Sequence, residues 1–138
     1  MTRAVVLVSL GAAAPGEALL AGVERLRADG DSVHLVSRTP PTPALAAALS
    51  GHVRVGRAGA GTIAAGKLKL DPNRLPGAAS VVLRRRPRRL VRAADALVAV
   101  DTAALPATWL AARVNRRALA VNGLPAALTR LPASPTPP

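Results

Sequence analysis

The sequence predicts an α/β fold, a Rossmann-like open sheet of about five mostly parallel strands with helices on both faces. Three observations predict it. Short valine-rich runs that are apolar on both sides, above all Ala4 to Leu10 and Ala96 to Val100, suit parallel strands covered on two faces. Segments with apolar residues at helical spacing separate these runs. Trp109 is the one aromatic residue in the chain, so the core must be Val, Leu and Ala. These pack as a layered sandwich more readily than as an aromatic-rich β-barrel.

The first strand, Ala4 to Leu10, runs into the turn Gly11-Ala12-Ala13-Ala14-Pro15-Gly16. A helix from Glu17 to Asp29 follows, with Leu19, Leu20, Val23 and Leu26 on one face. Glu17 and Glu24 lie toward its start and Arg25 and Arg27 near its end, as the helix dipole prefers. Gly30 is its expected stop. Ser32 to Ser37 is the second strand. After the rigid Thr39-to-Pro43 connection, a short helix from Ala44 to Leu49 is expected, with Thr42 as N-cap and Pro43 at its first position. His52 to Val55 is a third strand, and Gly56 to Gly66 reads as a loop. Two turn signals, Asp71-Pro72-Asn73 and Leu75-Pro76-Gly77, follow.

Ala78 to Ala94 is expected to be helical, kinked at Pro87 or restarted at Arg88. Ala96 to Val100 is the fourth strand, framed by Asp95 and Asp101. Pro106 to Asn115 is a helix expected to bury Trp109, Leu110 and Val114. Arg117 to Val121 is the fifth strand, Asn122-Gly123 a turn, and Ala126 to Leu131 a last helical turn. Residues 1–131 thus form one expected domain, and the proline-rich residues 132–138 an expected disordered tail.

Composition narrows the chemistry. Cysteine is absent, which excludes disulfides, thiolate metal sites and a cysteine nucleophile. An intracellular, cytoplasmic location fits. The N-terminal apolar run is short and valine-rich and leads into a helix and a second strand, unlike a signal peptide. No uninterrupted apolar run reaches the about 18 residues that a membrane span needs. The formal charge is +12, nearly all of it arginine. Either an anionic partner or an arginine-favouring composition accounts for that charge.

Ligands of open parallel sheets bind beyond the carboxyl ends of the strands. There the chain places Gly11, Gly16, Arg38, Asp101 and Asn122, the candidate ligand-binding residues. Gly11 and Gly16 allow close backbone approach in front of a helix N-terminus. Their spacing is not the G-x-G-x-x-G of dinucleotide binding, and Glu17 would repel a phosphate. Gly61 to Leu68 nearly matches a phosphate loop but has Leu68 in place of the hydroxyl residue that holds magnesium. No cofactor and no metal are expected. His34 and His52 sit in expected strands as core residues, and no catalytic triad or paired glutamates occur. Asp101 is the best catalytic candidate, or else a cap for the helix after it.

The densest charge is Arg84, Arg85, Arg86, Arg88, Arg89 and Arg92, a candidate polyanion-binding run or a solvated helix face. Without stacking partners, nucleic acid is a less favoured ligand than an anionic small molecule or membrane surface.

Residues 93–101 (Ala-Ala-Asp-Ala-Leu-Val-Ala-Val-Asp) and 105–113 (Leu-Pro-Ala-Thr-Trp-Leu-Ala-Ala-Arg) resemble the N-terminal half of two-domain (GT-B) glycosyltransferases. In such enzymes a strand ending in an acid or histidine often leads into a Leu-Pro-Ala helix. The opening strand, the Gly11-to-Gly16 turn and the Val36-Ser37-Arg38 strand end resemble the same half-domain. The resemblance spans roughly residues 1–125. It implies an acceptor-side domain, sometimes with a basic face peripheral to a membrane. The family's donor-binding second domain has no counterpart here. The resemblance therefore implies a ligand- or partner-binding module that is catalytically incomplete alone: a half enzyme dependent on a separate donor-binding domain or subunit, a degenerate relative, or a stand-alone binding module. The alternatives are a small basic α/β protein that binds nucleic acid or another polyanion, and a nucleotide-using enzyme built on the Gly11 turn.

Overall fold

Alternation decides the architecture. In β1 (Ala4–Ser9), Val5 and Leu7 point to one side of the sheet and Val6 and Val8 to the other, and all four are fully buried. Both sides therefore need a helical cover. The computed structural model describes residues 2–11, 16–55, 81 and 84–131. After β1 come α1 (Glu17–Ala28), β2 (Ser32–Ser37), α2 (Pro43–Ala48), β3 (Gly51–Arg54), α3 (Arg85–Ala93) and β4 (Ala96–Ala99). A 3-10 turn (Thr102–Ala104), α4 (Leu105–Val114), β5 (Leu119–Asn122) and α5 (Leu124–Arg130) complete the series. The strands form one all-parallel sheet in the order β3-β2-β1-β4-β5, as expected for the Rossmann-like class.

One core joins Val5, Leu7, Leu35 and Val98 to Leu19, Val23 and Leu26 of α1, Leu45 of α2 and Leu124 of α5. The other joins Val6, Val8, Val36 and Leu97 to Val91 of α3 and to Ala107 and Ala111 of α4. Gly22 of α1 is buried where a Cβ would overlap the Leu124 side chain, so its missing side chain lets α5 close onto α1.

Helix ends follow local chemistry. Gly30 has φ +88°, and the Gly30 and Asp31 N–H groups donate to the carbonyls of Arg27 and Leu26. This is the doubly bonded glycine stop expected after α1. Thr42 and Pro43 occupy the cap and first position of α2, although the Thr42 side chain makes no capping bond. Pro87 neither kinks a helix nor delays its start. It lies in the first turn of α3, where its missing N–H costs no intrahelical bond. β3, α4, β5 and α5 each begin one or two residues from the expected positions.

The larger correction concerns α4. Trp109 is 59% exposed and Val114 39% exposed, while Ala107, Thr108 and Ala111 face the sheet. Small residues let α4 lie close on β4; Leu110 is half-buried against the same core, and Trp109 and Val114 turn outward. The amino ends of β1 and β2 are tied by a two-pronged ion pair, in which Arg3 Nε and Nη2 each donate over 2.9 Å to the buried Asp31 carboxylate.

Candidate functional site

β1 and β4 are neighbours, yet the helices that follow them cover opposite faces of the sheet. Between two such strands the connecting turns diverge, and open α/β sheets place ligands there. Asp101 occupies this point. Its Oδ2 accepts from Ser9 Oγ at 2.8 Å and from the Gly11 N–H at 3.0 Å. Its Oδ1 accepts from the Ala104 N–H at 2.9 Å and from the Leu10 N–H at 3.3 Å. One carboxylate thus caps the 3-10 turn and fastens the end of β1 to the end of β4. The expected cap role is present, joined to a second one across the sheet.

This arrangement bears on anion binding at the first turn. The Leu10 and Gly11 N–H groups are the backbone donors that a phosphate approaching the end of β1 would use. The Asp101 carboxylate already holds both. A Cβ on Gly11 would lie 3.0 Å from Asp101 Oδ2, a tight contact, so glycine here eases the approach of the protein's own carboxylate.

The other rim residues are more dispersed. Gly16 precedes α1 in extended conformation. Arg38 is exposed; its N–H donates to the Ser9 carbonyl and its carbonyl accepts from Arg54 Nε. Asn122 is exposed at the end of the outer strand β5, paired in register with Ala99. Among the described residues, then, Gly11 and Asp101 meet directly, Arg38 adjoins them through backbone, and Asn122 lies apart. The Gly61-to-Leu68 near-motif and most of the first turn lie outside the described residues, as does the expected tail.

A Ser–His contact that the sequence reading missed joins β2 to β3. Ser37 Oγ donates to the Thr39 carbonyl at 2.7 Å and lies 2.7 Å from His52 Nε2. A hydroxyl has one proton, so His52 must donate to Ser37. That polarity is the reverse of a nucleophile and its general base. The signal was the register, since His52 sits beside Leu35, one same-face step from Ser37. His34 fits over Gly51, whose Cβ would meet the imidazole Nδ1 at 2.9 Å.

Burial lowers the pKa of His34 below its usual 6.5. His52, expected in the core, is instead exposed on the edge strand β3; partial desolvation of its ring, with a smaller contribution from Arg54, lowers its pKa as well. The unfolded chain therefore takes up these protons before the folded one. The stability this confers is complete above about pH 6.5 and is lost as pH falls through the lowered folded values. Melting temperature should decline on acidification below about pH 6.5, and the decline should be shallower in His34→Gln. A profile unchanged by that substitution would contradict the assignment.

The arginine run behaves as an amphipathic helix. Pro87 and Val91 of α3 are buried, while Arg84, Arg85, Arg86, Arg88, Arg89 and Arg92 are exposed. Arg113 on α4 and Arg116 and Arg117 in the turn after it extend the same charge. Arg92, Arg113, Arg116 and Arg117, with Val114 and Asn115, line an open groove of about 550 Å³. The Arg113 guanidinium lies over the Trp109 ring, 4.6 Å from its centroid. Asn115 Nδ2 donates to the carbonyls of Val91, Arg92 and Ala94, closing the end of α3 from the neighbouring helix.

Among the described residues no cluster of three potential metal ligands occurs, and no helix is long and apolar enough to cross a membrane. Comparison of the chain with protein-family models, with curated proteins and with solved structures gives no match.

Proposed function

We propose that the chain is a polyanion-binding α/β module whose contact surface is the helical layer of α3 and α4. One observation carries this reading. Residues 84–117 contain nine arginines and two acids, Asp95 and Asp101. Both acids are engaged by backbone N–H groups of the first strand and its turn. None of the nine arginines has an ion-pair partner among the described residues. The opposite layer is mixed, with Glu17 and Glu24 alongside Arg25 and Arg27 on α1. Like charges crowded on one face repel one another and oppose folding, and a polyanion relieves that repulsion.

Binding of inorganic polyphosphate, followed by calorimetry across a salt series, tests the proposal. Affinity should fall steeply and linearly on a log–log plot as counterions compete. Replacing Arg84, Arg85, Arg88 and Arg89 together by Gln should weaken binding at least about tenfold and flatten the slope. Glutamine has nearly the helix propensity of arginine, so the melting temperature should hold. Unchanged binding in the quadruple variant would make the run a solvated face.

A second reading is the acceptor-side half of a GT-B glycosyltransferase, completed by a separate donor-binding domain or subunit. The helices after β1 and β4 cover opposite faces of the sheet, the arrangement at which open α/β sheets take ligands, and this favours it.

A further inference from the structure

The groove at the C-terminal ends of α3 and α4 holds more positive charge than the fold requires there. Basic residues in a last helical turn ordinarily answer the helix dipole, which contributes roughly −0.5 charge at each C-terminus. Two such ends amount to about −1, against four guanidinium groups lining the groove. Three carbonyls at the end of α3, those of Val91, Arg92 and Ala94, already accept from Asn115. The arginines are therefore not capping that helix.

Beside the groove stands the chain's one aromatic side chain. Burial of Trp109 would have left no stacking surface, and its 59% exposure restores one. Arg113 belongs to both features, as it lines the groove and lies on the indole. Unpaired bases stack on aromatic rings, indole among them, and on guanidinium planes.

We infer that this groove seats single-stranded nucleic acid, with phosphates held by Arg92, Arg113, Arg116 and Arg117 and a base stacked on the Trp109–Arg113 pair. The inference deepens the polyanion reading and rests on it. The scarcity of exposed apolar side chains selects this occupant over a membrane: among the described residues Trp109 and Val114 are the only large hydrophobic side chains exposed, too few for an apolar face that enters a bilayer. A regular duplex keeps its bases stacked and offers none to the indole. The groove is shallow and open, so it leaves a bound strand largely exposed to solvent.

Because Trp109 is the only tryptophan and tyrosine is absent, intrinsic fluorescence reports on this site alone. The full chain should be titrated with a 12-residue oligothymidylate, its duplex, polyphosphate, and vesicles containing anionic phosphatidylglycerol. The single strand should quench the fluorescence and bind more tightly than the duplex. By calorimetry, since Trp109→Leu removes the fluorophore, this variant should bind the single strand about 5- to 150-fold more weakly, the range expected of one base–aromatic stack, and polyphosphate unchanged. Arg113, Arg116 and Arg117 replaced together by Gln should weaken both. Single-strand binding without quenching, or indifferent to Trp109→Leu, would overturn the inference and leave the polyanion reading standing. Tighter binding to the vesicles than to the single strand would overturn it in favour of a membrane surface. Failure of every anion, polyphosphate included, would remove both readings.

Discussion

Val98→Asp should abolish cooperative folding. Val98 is fully buried in β4, between Leu7 of β1 and Val121 of β5, and faces the core built with α1, α2 and α5. No cationic side chain belongs to that cluster. An aspartate there has two courses. It stays ionised at several kcal/mol, or it takes a proton and leaves polar atoms unpaired in an apolar layer. Loss of the buried valine adds about 1.5–3 kcal/mol. Their sum is comparable to the whole stability of an ordinary domain, about 5–15 kcal/mol. Circular dichroism should show no cooperative melt for Val98→Asp, whereas Val98→Ala should still melt, at a lower temperature. A soluble, cooperatively melting Val98→Asp protein would contradict the position of β4 in the sheet.

The strands were legible because parallel sheets demand apolar residues on both faces, and valine-rich runs such as Val5 to Val8 have few other uses. Gly30 was legible because the end of a helix needs a left-handed residue. Asp101 was legible from its place at the end of a strand. What it does there was not, since its partners Ser9, Leu10 and Gly11 lie some ninety residues earlier and three of its four bonds go to backbone N–H groups. The face of α4 was misread for a general reason. Hydrophobicity ranks Trp109 and Val114 above Ala107 and Ala111, but a helix lying close on a sheet selects for small size. The spacing of Trp109 and Arg113, four residues apart, already brought them together on one helix face. Their outward direction was what the sequence left open. The arginine run carries no aromatic residue, which in the sequence counts against single-stranded nucleic acid; the fold sets the exposed Trp109 against Arg113.

Asp101→Ala should destabilise the protein by about 2–4 kcal/mol without removing a catalytic group. Four donors would lose their acceptor, and a buried donor left unpaired costs about 1–3 kcal/mol. The site is half-buried, so water would recover part of that loss. Asp101→Asn should be only slightly milder. Its amide nitrogen would replace one oxygen of a carboxylate that accepts two bonds on each, setting donor against donor. The Ser9 hydroxyl can rotate to accept, but a backbone N–H such as that of Gly11 cannot. Gly11→Val is the less informative probe, because its side chain would press on the same carboxylate and confound lost ligand binding with a lost strut. The occupied N–H groups also predict the behaviour of the intact chain with nucleotide sugars. A diphosphate approaching β1 meets a carboxylate where it needs donors, so the wild-type chain should neither hold the diphosphate at this turn nor transfer its sugar. An acceptor-side half-domain requires neither. Thermal melting of both variants, with calorimetry and product analysis against a panel of nucleotide sugars, tests these outcomes together. Turnover by the wild-type chain, lost in Asp101→Asn at an unchanged melting temperature, would make Asp101 a catalytic residue instead of the clasp between β1 and β4.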